Sequence, residues 1–177
     1  AGTGEAGYED GPGLTKARFN FPRSVSLSLD ARTLYVADGD NHRIRAVNVT
    51  DGQTTTLCGT GSAGNKDGRP PVGELYYPSG LATSRTGHFL YVADTWNCRI
   101  RAVDLRREGA NFGLLMTVAG GKGAETCGHV DGTRKEAEFN LPRGVAVSND
   151  GATLYVADTA NHRIRSVRLH KDHHGGD

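Results

Sequence analysis

Hydrophobic and polar positions fall in blocks along this chain, and one block is written three times. Leu34-Tyr35-Val36-Ala37 is apolar on both faces, as expected of a strand covered on both sides. Asp38-Gly39-Asp40-Asn41 follows as a cluster of turn formers. Arg43-Ile44-Arg45-Ala46-Val47 then returns with period-two alternation. The pattern predicts a β-hairpin, and it recurs at 90–103 and 154–167.

The repeat extends upstream of the hairpin. Pro22, Pro78 and Pro142 stand at one fixed distance before Tyr35, Tyr91 and Tyr155, and each proline is preceded by Asp10-Gly11, Asp67-Gly68 or Asp131-Gly132. Such self-similarity decides the fold before any single motif does. The first copy predicts strands at 24–29, 33–37, 43–48 and 53–58, with a tight turn at Asp51-Gly52. The second predicts 80–84, 89–93, 99–104 and 113–119, with a longer last turn at 106–111. The third predicts 144–148, 153–157 and 163–168, then a polar tail at 170–177 where a fourth strand is due. Ala1-Gly2-Thr3-Gly4 matches Cys58-Gly59-Thr60-Gly61, so the ends are out of phase with the strand repeat. Four-stranded antiparallel units at this spacing predict an all-β fold, a β-propeller whose blades bury both faces against their neighbours. The repeats are placed at about 1–57, 58–118 and 119–177.

The run Phe139-Asn140-Leu141-Pro142 through Arg165, with Asp158, Asn161, His162 and Arg163 in its turn, resembles the NHL repeat. The matching turns hold Asp38, Asn41, His42 and Arg43, then Asp94, Asn97, Cys98 and Arg99. The resemblance covers nearly the whole chain. It implies propeller blades, usually six in this family, so that three repeats make half a ring. It also implies kinship with NHL modules of large multidomain proteins.

Composition adds bounds. The 177 residues carry 21 Lys and Arg against 20 Asp and Glu, so the chain is no polyelectrolyte binder as a whole. No run is long and apolar enough to span a membrane, and no leader is visible; the first residue is not Met, as in a piece of something longer. Cys58, Cys98 and Cys127 are odd in number and scattered, which predicts no disulfide framework and favours a reducing compartment. Asn48-Val49-Thr50 is a glycosylation triplet with no counterpart in the other copies.

Gly2-x-Gly4-x-x-Gly7 and Gly59-x-Gly61-x-x-Gly64 match the dinucleotide fingerprint by letter, but Asn65-Lys66-Asp67-Gly68-Arg69-Pro70-Pro71 cannot start the helix that would hold a pyrophosphate. Asp38, Asp94 and Asp158 each face the arginine across the loop, Arg43, Arg99 or Arg163, and predict an ion pair within each blade. Arg45, Arg101 and Arg165 lie on the diagonal and are expected to stay available for a partner. His42, Cys98 and His162 occupy one repeat position; the repeat alone accounts for them, so no metal or other cofactor is expected. Trp96, Tyr76 and Tyr77 depart from their copies and are candidate contact anchors. No catalytic triad or Walker loop stands apart from the repeat.

The expected function is a non-catalytic scaffold presenting loops to a protein partner. Two alternatives follow from the resemblance: RNA binding, and metal-dependent lyase or hydrolase chemistry of the propeller type. Three blades leave two apolar faces open, so a homodimer completing a six-bladed ring is expected.

Overall fold

The computed structural model describes residues 1–121 and 127–169. It holds three antiparallel sheets, one per repeat. The first blade runs β1 (Pro22–Leu27), β2 (Thr33–Asp38), β3 (Arg43–Asn48) and β4 (Thr54–Cys58), paired in that order. The second runs β5 (Pro78–Thr83), β6 (Phe89–Asp94), β7 (Arg99–Asp104) and β8 (Leu115–Ala119). The third holds β9 (Pro142–Val147), β10 (Thr153–Asp158) and β11 (Arg163–Arg168), with no fourth strand among the described residues. The expected β-propeller blades are therefore present; the polar tail expected at 170–177 lies outside the described residues.

Boundaries shift for local reasons. Each inner strand begins at its proline, two residues earlier than the apolar pattern suggests, because the proline pairs with the aspartate closing the next strand: Pro22 with Asp38, Pro78 with Asp94, Pro142 with Asp158. A register shift follows each proline, which has no N–H to give the ladder. The turn between the second and third strands is one turn of 3-10 helix, closed by His42, Cys98 or His162 in the left-handed region. Gly59 leaves β4 at φ 96°, where a Cβ would strike the His42 carbonyl. The glycines of the fingerprint-like motif thus turn the chain from one blade to the next.

The hydrophobic core lies between blades. Successive residues of a strand point to opposite faces, so each blade has two. Tyr35, Ala37, Ile44 and Leu57 of the first blade meet Leu75, Leu81, Leu90 and Val92 of the second. Tyr91, Ile100, Ala102 and Val118 of the second meet Phe139, Leu154, Val156 and Val167 of the third. Full burial of one such Leu or Ile contributes about 1.5–3 kcal/mol, so blade stacking is the main source of stability. Near the axis β1, β5 and β9 run side by side. Ser24 Oγ accepts the Leu81 N–H, Ser26 Oγ accepts the Thr83 N–H, and Thr83 Oγ1 donates to the Leu27 carbonyl.

One expectation is overturned here. Cys98 and Cys127 form a disulfide, with Cα atoms 5.3 Å apart. Cys98 closes a turn of the second blade, and Cys127 lies in the loop leading into the third, so the bond ties adjacent blades. Only Cys58 remains a free thiol.

Candidate functional site

The polar residues that recur in every turn are drawn into one buried node per blade. Asp94 Oδ1 accepts the Tyr76 N–H at 2.8 Å. Its Oδ2 accepts from Asn97 Nδ2 at 2.7 Å and from Arg101 Nη1 at 2.7 Å. Asn97 also donates to the Gly64 carbonyl, and Arg101 reaches the Glu74 and Lys66 carbonyls and the Asp67 carboxylate. Asp67 in turn accepts the N–H and hydroxyl of Thr117. The first blade repeats this arrangement with Asp38, Asn41, Arg45 and Asp10, and the third with Asp158, Asn161, Arg165 and Asp131. The node stitches the hairpin to the preceding loop and, through Asp10 or Asp67, to the outer strand.

This arrangement corrects two sequence readings. The ion pair forms on the diagonal, not straight across: Asp38 pairs with Arg45 at 2.8 Å, while Arg43, its register partner, donates to the Asn41 and Thr60 carbonyls and lies against the Tyr8 ring. Consequently Arg45 and Arg101 are not available to a partner; their side chains are wholly buried, and that of Arg165 is 10% exposed. A strand twists, and the arginine two residues further along reaches back over the aspartate from within the blade. Burial pushes the Asp94 carboxyl upward, and Arg101, Asn97 and the Tyr76 N–H pull it back.

His42, Cys98 and His162 do not converge. His42 and Cys98 face the following blade: His42 Nδ1 accepts the Tyr77 N–H, and Cys98 Sγ accepts the Leu141 N–H. Among the described residues no group of three or more His, Cys, Asp and Glu is placed to hold a metal. Burial pushes the Cys58 thiol up to about 12, so it is no nucleophile at neutral pH.

A surface site does emerge, on the side that carries the 3-10 turns. Trp96 is 52% exposed and Tyr76 37%. Their ring centroids are 5.7 Å apart, and Tyr77 meets Trp96 edge-on at 6.2 Å. His42 packs edge-on against Tyr76. The three candidate anchors from the sequence are therefore neighbours, and Trp96 leans on Tyr76 without being covered by it. A groove of about 420 Å³ runs beside them, lined by Trp96, Tyr76, Asn97, Asn65 and the Lys66–Glu74 pair. Two members were missed by sequence reasoning. Phe21 is 64% exposed, and the Arg23 guanidinium lies over both Tyr77 and Phe21 and donates to the Tyr77 hydroxyl. For Phe21 the signal was its place before the proline, where Phe21, Tyr77 and Leu141 all take positive φ.

No described helix is long and apolar enough to cross a membrane. The NHL repeat profile matches residues 19–47, 75–102 and 139–165, the turns and hairpins just described. The chain is 30% identical over 178 aligned residues to human NHL repeat-containing protein 2, covering 96% of this chain and 24% of that protein. It is 28% identical to mouse teneurin-4 over 89% of this chain and 6% of that protein. Among solved structures, an auxiliary nutrient binding protein from Bacteroides ovatus superimposes with a TM-score of 0.70 at 23% identity, over 86% of this chain and 38% of that one. The chain thus spans about a quarter of the length of the human relative. Three matched repeats on three stacked antiparallel sheets place the chain in the NHL-repeat β-propeller family.

Proposed function

We propose that this chain is a non-catalytic interaction scaffold that presents the Trp96 surface to a protein partner. The observation that carries the reading is the contiguous run Phe21–Arg23–Tyr77–Trp96–Tyr76, joined ring to ring and left partly open to water. Large rigid aromatics beside an arginine are the side chains that dominate protein interfaces, since they bury much area at little entropic cost. The blades beneath are fixed by buried nodes, so the surface is held ready and does not need to order on binding. The RNA alternative, which rests on the resemblance, is less favoured because the Arg45 and Arg101 side chains are wholly buried in those nodes and that of Arg165 is 10% exposed. The metal-dependent alternative is less favoured because two of its three candidate ligands, His42 and Cys98, are used at the seams between blades.

The test is crosslinking of the intact chain in extracts of its own cells, followed by titration of any captured protein in purified form. Trp96→Ala and Tyr76→Ala should weaken that purified interaction at least tenfold with an unchanged unfolding midpoint. Binding that is indifferent to both substitutions, or that falls steeply with salt and needs RNA, overturns the reading.

A further inference from the structure

The disulfide changes how one sequence feature reads. Cys98 and Cys127 are bonded, and such bonds form and persist in oxidising surroundings: outside the cell, in the endoplasmic reticulum lumen or in a periplasm. The sequence holds one Asn-x-Ser/Thr triplet, Asn48-Val49-Thr50. That triplet is the acceptor for asparagine-linked glycans on the secretory route. Compartment and acceptor therefore agree, and what remains is whether the triplet is presented.

Asn48 ends β3 and opens the turn into β4. The hairpin uses its backbone fully: its N–H donates to the Gln53 carbonyl and its carbonyl accepts the Gly52 N–H, both at 2.8 Å. Its side chain is divided. Oδ1 accepts the Thr50 N–H at 2.8 Å, closing an Asx-turn. Nδ2 has no partner among the described residues, and neither has the Thr50 hydroxyl. Asn48 and Thr50 are exposed, and Val49 between them is 53% exposed. The other asparagines of the repeat are spent differently. Asn41, Asn97 and Asn161 each give Nδ2 to a carboxylate and a carbonyl inside a node. In the second blade the position of Asn48 is held by Asp104, which accepts the Arg106 N–H in the same kind of turn, pairs with the Arg106 guanidinium and is wholly buried. The open amide nitrogen belongs to the short turn of the first blade.

We propose that Asn48 carries an N-linked glycan. The donor is an oligosaccharide carried on a lipid pyrophosphate. Asn48 Nδ2 bonds to the anomeric carbon of the first sugar as the bond from that carbon to the phosphate oxygen breaks. The lipid pyrophosphate leaves with the electron pair, and Nδ2 loses one proton to solvent. β3 runs from the 3-10 turn to Asn48 over about 17 Å. The glycan thus stands at the end of the blade opposite the Trp96 surface and leaves that surface open. The two proposals concern different surfaces, and either stands without the other.

The test takes the protein from its own cells. Trypsin releases the triplet in the peptide from Ala46 to Lys66. Mass spectrometry should find that peptide glycosylated, and peptide N-glycosidase in heavy-oxygen water should convert Asn48 to a labelled aspartate. In the full chain secreted from cultured cells, Asn48→Gln and Thr50→Ala should each abolish the glycan and speed migration on a gel, whereas Thr50→Ser should keep it. Both positions are exposed in a turn, so the Thr50→Ala chain should keep the unfolding midpoint of enzymatically deglycosylated protein. An unmodified Asn48 overturns the proposal in either of two ways, told apart by the thiol state of the same sample. With Cys98 and Cys127 bonded, the turn is no acceptor; with both free, the compartment argument fails. A glycan that survives Asn48→Gln sits elsewhere and overturns it too.

Discussion

Asp94 shows how one residue ties local chemistry to the blade. It closes β6, receives three donors, and is matched by an arginine with no exposed side-chain surface. A buried pair of this kind gives modest net stabilisation while intact, but removal of one partner strands a charge in a poorly solvated interior. Asp94→Ala should therefore cost about 3–5 kcal/mol, read from urea unfolding. Asp131 contacts the equivalent arginine of the third blade, yet its side chain is 82% exposed. Asp131→Ala should cost less than about 1 kcal/mol, as exposed pairs do. Equal losses at the two sites would refute the burial argument. The sequence revealed that aspartate and arginine pair within each blade, since both recur in register. Which arginine pairs was hidden, because the strand alphabet gives the face a side chain takes and not how far the neighbouring blade closes over it.

At the scale of the element, the hairpin was the most legible part. Period-two alternation and clustered turn formers marked β2 and β3 in every copy, and the paired register confirms them. The inner strands were placed late because proline and glycine read as loop, although near the axis a missing N–H and a close backbone approach suit the packing. The disulfide was not legible. Cys98 and Cys127 belong to different repeat positions, and only the seam between blades brings them together. It gives a sharp expectation for the chain's thiols. The native oxidised protein should take up no alkylating reagent at pH 7, since burial raises the Cys58 pKa to about 12 and leaves roughly one thiol in 10⁵ ionised. Unfolding without reductant should expose one reactive thiol, and unfolding after reduction should expose all three of the sequence. Mass spectrometry counts them directly. Rapid labelling of the native chain at Cys98 or Cys127 would contradict the bond.

At the scale of the whole molecule, the repeat made the architecture legible and left the function site-poor, because a motif copied three times looks like chemistry wherever it recurs. The set His42, Cys98 and His162 is the clearest case. Zinc gathers its ligands on one point, with bonds of about 2.0–2.3 Å. Stacking spreads these three groups over three successive blades, and the seams use them differently: His42 receives a backbone N–H, and the Cys98 sulfur is committed to Cys127. The aromatic surface, by contrast, arises where the copies differ, at Tyr76, Tyr77 and Trp96. The expected outcome is that elemental analysis of the untagged chain finds no stoichiometric zinc, and that a chelator leaves the unfolding midpoint where it was. The same substitution that tests this, His162→Ala, should not move the midpoint by more than a surface change does, about 0.5 kcal/mol. One zinc per chain, lost in that variant, would show that the three positions meet after all. It would return the chain to the metal-dependent members of its fold.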